Sequence, residues 1–102
     1  LNISYKIVNR KSSFTYSDIT SQSIGFNNII INTTPLGMFP DTKSFPKIPY
    51  NSLTEKHLLF DLIYNPQETQ FIKYGKSKEA SVKNGMEMLQ IQAEMSWKIW
   101  NL

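Results

Sequence analysis

Three segments of the sequence combine residue types that contact ligands, and each segment follows an apolar run. Asn9, Arg10 and Lys11 follow the first run, residues 32–38 follow the second, and Tyr64 follows the third. The planar fork of an arginine can hold a phosphate, small side chains and a glycine let the backbone lie close to a ligand, and a tyrosine hydroxyl can meet a polar substrate. Each signal is weak alone, because an arginine at a strand end is usually solvated and a tyrosine is usually packed in a core.

The apolar runs predict strands that alternate with helices. Runs rich in β-branched and aromatic residues predict strands over residues 3–8, 14–16, 29–31, 58–63 and 80–83. Apolar periodicity and capping residues predict helices over residues 66–75 and 85–100. A brief helix capped by Asp18 or Thr20 is expected before a break at Gly25 and residues 27–28. The uninterrupted β-branched run at 29–31 is expected to be the sheet centre, covered on both faces.

This alternation predicts an α/β fold with a mostly parallel sheet, since parallel neighbours need crossover connections. Ligands of such sheets bind beyond the carboxyl ends of the strands, where the three polar segments lie. Four prolines within residues 35–50 exclude a long helix there and predict a structured loop. The final helix is expected to be amphipathic, with one face packed in a core or at a domain interface. That face holds Met86, Leu89, Ala93, Trp97 and Trp100.

Composition excludes several classes of protein. The chain has no cysteine and one histidine, so a disulfide scaffold and a thiolate metal site are excluded and no metal site is expected. The net charge of +3 comes from scattered basic residues, which indicates a solvated surface, and no nucleic acid partner is expected. No apolar stretch approaches the length of a membrane span, so no association with a membrane is expected.

Three blocks of the sequence together resemble the signature blocks of the shikimate dehydrogenase family. They occur in the family's order and at compatible spacing: residues 31–38, residues 61–66 with Glu68 and Thr69, and residues 84–89 with Gln92 and Ala93. The resemblance implies that residues 1–102 are the C-terminal part of the NADP-binding domain, a truncated Rossmann-like parallel sheet with crossover helices and an amphipathic C-terminal helix. The first βα unit with its glycine-rich turn and the N-terminal substrate domain would be absent. No catalytic residue is therefore expected in the chain, which is predicted to be inactive alone.

The resemblance implies NADP as the cofactor and assigns it seven contacts. In chain order, the first three would hold the 2′-phosphate, the next two would line the dinucleotide, and the backbone of the last two would approach the nicotinamide. These residues are Asn9, Arg10, Lys11, Asn32, Thr33, Leu62 and Gly85. The family usually carries a further basic residue later in the 2′-phosphate loop, where this sequence has Ser13 and Phe14. The choice between NADP and NAD is therefore left open.

The resemblance also assigns two substrate contacts, Tyr64 and Gln92. Shikimate and 3-dehydroshikimate are the implied substrates of the intact enzyme, which is expected to be cytoplasmic, while quinate stays a subsidiary possibility. Two further polar residues receive structural roles. His57 is expected at the surface or in a cap, and Asp61 is expected to tie down the loop after its strand through backbone N–H groups.

Two classes of function fit this sequence. In the first, the chain is part of an oxidoreductase that interconverts 3-dehydroshikimate and shikimate with NADP. In the second, it is a non-catalytic module with a nucleotide-binding fold that serves binding or assembly. The signature blocks favour the first class. Self-association through the apolar face of the last helix is expected if that face has no partner domain.

Overall fold

The computed structural model describes residues 6–8 and 15–101 of the chain. Within these residues, one parallel sheet contains β1 (Ile29–Asn32), β2 (Leu58–Asp61) and β3 (Ser81–Lys83), in the order β1-β2-β3. The registers of both pairs place Leu59 between Ile30 and Val82. The predicted α/β class and the parallel sheet are confirmed.

Among the described residues, α1 (Ser21–Phe26) lies before β1, α2 (Gln70–Ser77) lies between β2 and β3, and α3 (Met86–Trp100) follows β3. Only α2 is a crossover helix, since it connects β2 to β3. The connection from β1 to β2 contains a single 3-10 turn at Tyr50–Ser52. The prediction of crossover helices is therefore half right, because the prolines of this connection lack the N–H groups and the freedom that a helix requires. The predicted structured loop is confirmed.

The core lies between β2 and α2. Leu59 is completely buried at the middle of the sheet, and Phe71 and Ile72 of α2 pack in the same cluster. Gly75 brings α2 close to the sheet, since a Cβ there would lie 2.8 Å from Cδ2 of Leu59. The sequence predicts that α2 ends at Gly75, but the helix continues past this residue to Ser77.

Among the strands that the structure describes, β1 lies at the edge of the sheet and β2 lies at its centre, which corrects the prediction for residues 29–31. Ile29 is 62% exposed and Ile31 is 56% exposed, whereas Ile30 packs against the core. The strand itself is confirmed, but only one of its faces is covered within the described residues. A run of isoleucines indicates a strand that is buried on both faces, but it does not specify which element covers each face.

The N-terminal strand predictions are not supported where the structure describes them. Residues 1–5 lie outside the described residues, and Lys6 to Val8 form no strand, because none of the described strands pairs with them. Phe14 also lies outside, and the predicted strand at 14–16 gives way to a 3-10 turn over Tyr16–Asp18. The Asp18 carboxylate closes this turn by accepting the N–H of Thr15 at 2.8 Å.

The helix boundaries follow their capping residues. Thr20 caps α1, as predicted, by accepting the N–H of Ser23 at 3.2 Å, and the break falls after Phe26 because Gly25 stays inside the helix. α2 begins at Gln70 and not at Pro66, because the hydroxyl of Thr69 accepts the N–H of Ile72.

α3 is confirmed as a helix, but its side chains are not packed. None of its residues is buried, and Trp97 and Trp100 are 70% and 85% exposed. The prediction that this face packs in a core is therefore wrong for the described residues, since no other described element covers it. A role at a domain interface stays a prediction. Across residues 6–8 and 15–101, no helix is long and apolar enough to cross a membrane.

Candidate functional site

A completely buried carboxylate, Asp61, lies at the carboxyl end of the central strand. Its Oδ1 accepts the side-chain N–H of Asn32 at 3.2 Å and the backbone N–H of Ile63 at 3.0 Å. Its Oδ2 accepts the hydroxyl of Thr69 at 2.6 Å. The carboxylate therefore ties down the loop after β2, as predicted, and also joins it to the end of β1 and the start of α2.

The side chain of Asn32 is committed to internal hydrogen bonds. It is 3% exposed, and its Oδ1 accepts both the backbone N–H and the hydroxyl of Thr34, at 3.1 and 2.6 Å. Its Nδ2 donates to Asp61. Asn32 therefore orders the loop after β1 from inside, and Thr33 is the exposed residue beside it. A contact between Asn32 and a dinucleotide stays a prediction.

A groove of about 470 Å³ opens between the loops that follow β1 and β2, and we call it the edge groove. A backbone hydrogen bond of 3.1 Å from Phe39 to the carbonyl of Asn65 joins the two loops. Three predicted site residues, Thr33, Leu62 and Tyr64, lie in the groove. The whole lining is Thr33, Thr34, Pro35, Met38, Phe39, Leu62, Ile63, Tyr64 and Asn65. Volumes of this order accommodate small ligands.

Tyr64 is 44% exposed, so part of its side chain is accessible from the edge groove. The walls of the groove include Met38 and Phe39, which are 46% and 63% exposed. The sequence indicated the backbone freedom of residues 32–38 but not that these two side chains form a wall. Large apolar residues within a proline-rich loop were the signal that could have identified them.

Gly85 contacts the backbone of two residues that line the edge groove, Leu62 and Ile63. Its N–H donates to the carbonyl of Ile63 at 3.1 Å, and a Cβ at this position would collide with the carbonyl oxygen of Leu62. Gly85 is buried and lies outside the lining, so it acts on the groove through the backbone of Leu62. α3 begins immediately afterwards, where Asn84 Oδ1 accepts the N–H of Met86 at 3.0 Å.

The structure does not bring every predicted site residue to the groove. Gln92 is exposed on α3 and does not line the edge groove. Asn9, Arg10 and Lys11 lie outside the described residues. Their roles stay predictions.

A larger hollow of about 740 Å³ is lined by β1 and by residues 6–8 among others, and we call it the β1 hollow. Its lining includes Ile29 and Ile31 of β1 and Phe26 at the end of α1. Thr33 and Thr34 line both the β1 hollow and the edge groove. A ligand of extended shape could therefore pass across these two residues from one hollow to the other.

His57 is buried, at 4% exposure, which corrects its predicted place at the surface. Its Nδ1 accepts the backbone N–H of Thr54 at 3.0 Å, so the proton lies on Nε2, which donates to the carbonyl of Ile24 at 2.8 Å. The ring thus joins α1 to the segment before β2. The sequence could not reveal this role, because the partner carbonyl is 33 positions away.

The parallel strands, the connecting helix and the loops gathered at the carboxyl edge define part of a Rossmann-like α/β domain. No family model matches the chain. A shikimate dehydrogenase (NADP+) from Methanococcus maripaludis is 47% identical over 73 residues, which are 72% of this chain and 26% of that protein. The crystal structure of a shikimate dehydrogenase in complex with NADP+ is similar with a TM-score of 0.71 and 40% identity, over 76% of this chain and 27% of the other. A quinate dehydrogenase from Corynebacterium glutamicum in complex with NAD has a TM-score of 0.59 and 26% identity, over 68% of this chain and 24% of the other.

The chain belongs to the shikimate dehydrogenase family, as a part of its Rossmann domain. The family resemblance and the fold class predicted from the sequence are thereby confirmed. The chain spans about a quarter to a third of the length of the curated relatives that it matches.

Proposed function

We propose that this chain supplies the nicotinamide side of the NADP site, and part of the shikimate site, in an oxidoreductase that interconverts 3-dehydroshikimate and shikimate. The main support for this proposal is the edge groove, in which Thr33, Leu62 and Tyr64 lie on one surface at the carboxyl edge of the sheet. The homology to NADP-dependent shikimate dehydrogenases gives this groove its chemical meaning. Residues 1–102 would then be the C-terminal part of the NADP-binding domain.

The residues of the edge groove fit a nicotinamide ring. Pro35, Met38 and Leu62 offer an apolar wall for a flat ring, and the exposed Thr33 can contact a polar group of the dinucleotide. Gly85 keeps the Leu62 carbonyl in place because it has no Cβ to displace it. The bound cofactor would donate the hydride as NADPH or accept it as NADP+, and this chain would orient the nicotinamide ring.

The 2′-phosphate end of the cofactor would be held by Asn9, Arg10 and Lys11. The planar guanidinium of Arg10 can form paired hydrogen bonds to phosphate oxygens, and Lys11 adds a second positive charge. Neutralisation of this phosphate would favour NADP over NAD. The replacement of Arg10 by glutamine should therefore weaken the binding of NADP more than the binding of NAD.

Tyr64 and Gln92 are the proposed substrate contacts. The Tyr64 hydroxyl lies at the edge groove, where it can form a hydrogen bond with a substrate hydroxyl or carboxylate. The described lining of the groove contains no lysine, histidine, aspartate or glutamate. The general acid and base for the reaction would thus come from outside this groove, and we propose that residues 1–102 alone turn over no substrate.

The proposal is tested with the protein at the length that its gene encodes, beside a fragment of residues 1–102. NADPH is titrated into both by fluorescence, and shikimate-dependent reduction of NADP is followed at the same time. Turnover by the native-length protein, with weak NADPH binding and no turnover by the fragment, would support the proposal. A native-length protein that neither binds NADPH nor oxidises shikimate would overturn it.

A pair of tyrosine variants tests the role of the edge groove. Tyr64→Phe should raise the KM for shikimate by about fivefold, because one hydrogen bond to the substrate is worth about 1 kcal/mol. Tyr74→Phe is the matched control, since Tyr74 packs beside Tyr50 and lies outside the groove. Equal values of KM in the two variants would exclude Tyr64 as a substrate contact.

One observation favours a second candidate, a non-catalytic module for binding or assembly. The aromatic residues Trp97 and Trp100 of α3 are largely exposed, and large exposed apolar surfaces mark interaction sites. A native-length protein without turnover that is purified as a stable complex would favour this candidate. The same measurement with quinate in place of shikimate distinguishes the two substrates.

A further inference from the structure

We infer that Asp61 is a positioning residue that couples the two loops of the edge groove, so that one buried carboxylate sets the geometry of both the cofactor side and the substrate side. This inference rests on the proposed function for its consequences in catalysis. Its structural basis is the set of three hydrogen bonds that Asp61 accepts from Asn32, Ile63 and Thr69.

The constraint reaches the first loop through Asn32. The amide of Asn32 donates to Asp61 on one side and accepts two hydrogen bonds from Thr34 on the other. The Thr34 hydroxyl in turn accepts the N–H of Leu36 at 3.2 Å. A continuous path of hydrogen bonds therefore runs from the carboxylate to the segment that carries Thr33.

The constraint reaches the second loop directly. The N–H of Ile63 donates to Asp61, and Ile63 lies between Leu62 and Tyr64 in the groove. The carbonyl of Ile63 accepts the N–H of Gly85. The same carboxylate thus fixes the peptide that joins the proposed cofactor contact, Leu62, to the proposed substrate contact, Tyr64.

Thr69 holds the carboxylate against the start of α2. Its hydroxyl donates to Asp61 and accepts the N–H of Ile72, and Thr69 is 1% exposed. Gly37 of the first loop approaches Thr69 so closely that a Cβ there would lie 3.3 Å from the Thr69 Cβ, and its φ of +99° is strained for any other residue. Thr69 therefore contacts both the carboxylate and the first loop.

An asparagine could not replace Asp61 without loss. All three partners donate hydrogen atoms, and an ionised carboxylate accepts all three because it has no N–H or O–H of its own. The amide of an asparagine would turn its NH₂ group toward one of these donors. In a buried site, the donor without an acceptor cannot form a hydrogen bond with water instead. The loops that carry the affected groups are therefore held less firmly.

The first test measures amide hydrogen exchange in Asp61→Asn, Thr69→Val and the wild-type native-length protein. Coupling predicts that exchange rises by at least about tenfold in both loops, residues 33–36 and 62–65, in Asp61→Asn. Thr69→Val should raise both to a smaller extent, and Thr69→Ser should restore wild-type rates. A rise confined to one loop would overturn the inference, as would unchanged rates in both.

Leu53→Ala is the control for general destabilisation, since Leu53 is a buried core residue that lies outside the edge groove. Exchange is compared at temperatures equally far below the melting temperature of each variant. Equal exchange of the two loops in Leu53→Ala and Asp61→Asn would show a merely structural role and overturn the inference. If Asp61→Asn does not fold, Thr69→Val is compared with Thr69→Ser instead. Exchange in Thr69→Val must then rise in both loops, and a rise in one loop or in neither would overturn the inference.

The second test uses the binding constants. Asp61→Asn should raise both the dissociation constant for NADPH and the KM for shikimate, whereas Leu53→Ala should change neither. A change in only one of the two constants would overturn the coupling. If the wild-type protein binds no NADPH, the proposed function fails, and the exchange rates alone decide whether Asp61 couples the loops.

Discussion

The edge groove depends on the absence of a Cβ atom at Gly85. The space that a Cβ would need there is already taken by the carbonyl oxygen of Leu62. Gly25, in contrast, is exposed in α1 and has open space where a Cβ would be. The two glycines therefore have different reasons to be glycine, and only Gly85 is required by packing.

Gly85→Ala should lower the free energy of unfolding by at least about 1–3 kcal/mol, because the new methyl group must displace backbone. Gly25→Ala is the matched control and should stabilise by about 0.5–1 kcal/mol, as alanine favours a helix over glycine. Urea unfolding followed by circular dichroism measures both. Similar effects of the two substitutions would contradict the close packing at Gly85.

Tyr50 carries a prediction about alkaline pH. Burial raises the pKa of Tyr50 above its ordinary value of 10.0, and the nearby Tyr74, Tyr16 and Asp61 raise it further. The folded state therefore favours the neutral phenol, which donates to the carbonyl of Pro46 at 2.5 Å. The stability that Tyr50 contributes is complete below about pH 10 and is lost as the pH rises above it.

Tyr50→Phe should therefore make the free energy of unfolding fall less steeply with pH above about pH 10. Tyr64→Phe is measured beside it as the removal of a hydroxyl from a more exposed tyrosine. The measurement is urea unfolding at a series of pH values. A wild-type slope that persists in Tyr50→Phe would show that Tyr50 is not the responsible group.

At the scale of elements, the strands of the sheet differ in how much they are covered. β2 has hydrogen-bonded neighbours on both sides and contains the fully buried Leu59, whereas β1 has one described neighbour and an exposed face with Ile29 and Ile31. Stability is therefore expected to depend on β2 far more than on the exposed face of β1. Asp61 is the last residue of β2, so the edge groove is built on the strand that has hydrogen-bonded neighbours on both sides.

Leu59→Ala should lower the free energy of unfolding by about 2–5 kcal/mol, because it leaves a cavity at the middle of the core. Ile29→Ala, on the exposed face of β1, should change it by no more than about 0.5 kcal/mol. Both values come from denaturant unfolding of residues 1–102. A large cost at Ile29 would mean that something covers this face in solution.

At the scale of the whole molecule, α3 extends from the sheet with its apolar side chains uncovered. Ile91, Trp97, Ile99 and Trp100 are each more than half exposed. A helix with a wide apolar face usually packs that face against a neighbour. Because the chain spans only part of the length of its relatives, further protein is one candidate for that neighbour, and a second copy of the chain is another.

We expect residues 1–102 to self-associate through α3, with sedimentation velocity showing larger species as the concentration rises. Trp97→Glu should shift the population toward monomer, because it places a charge in the apolar surface. Lys98→Glu is the control and should have no such effect, because Lys98 shares the polar side of the helix with Glu87 and Glu94. A wild-type chain that stays monomeric at all concentrations would contradict this expectation.

The sequence by itself determined the kinds of element and the family. The β-branched run at residues 29–31, the proline-rich loop after it and the apolar period of residues 85–100 each formed the predicted kind of structure. These features depend on the local preferences of the backbone and on the spacing of apolar residues. Both can be read from residues that are close together in the sequence. The signature blocks identified the family in the same way.

Only the tertiary structure decided which surfaces these elements share. Three isoleucines could not indicate whether β1 is central or at the edge, since the same run satisfies both places until its neighbours are known. His57 and Asn32 proved to be buried because their hydrogen-bond partners come from distant parts of the chain. Hydrogen bonds between distant residues arise from folding in three dimensions, and the spacing of residues in the sequence does not specify them.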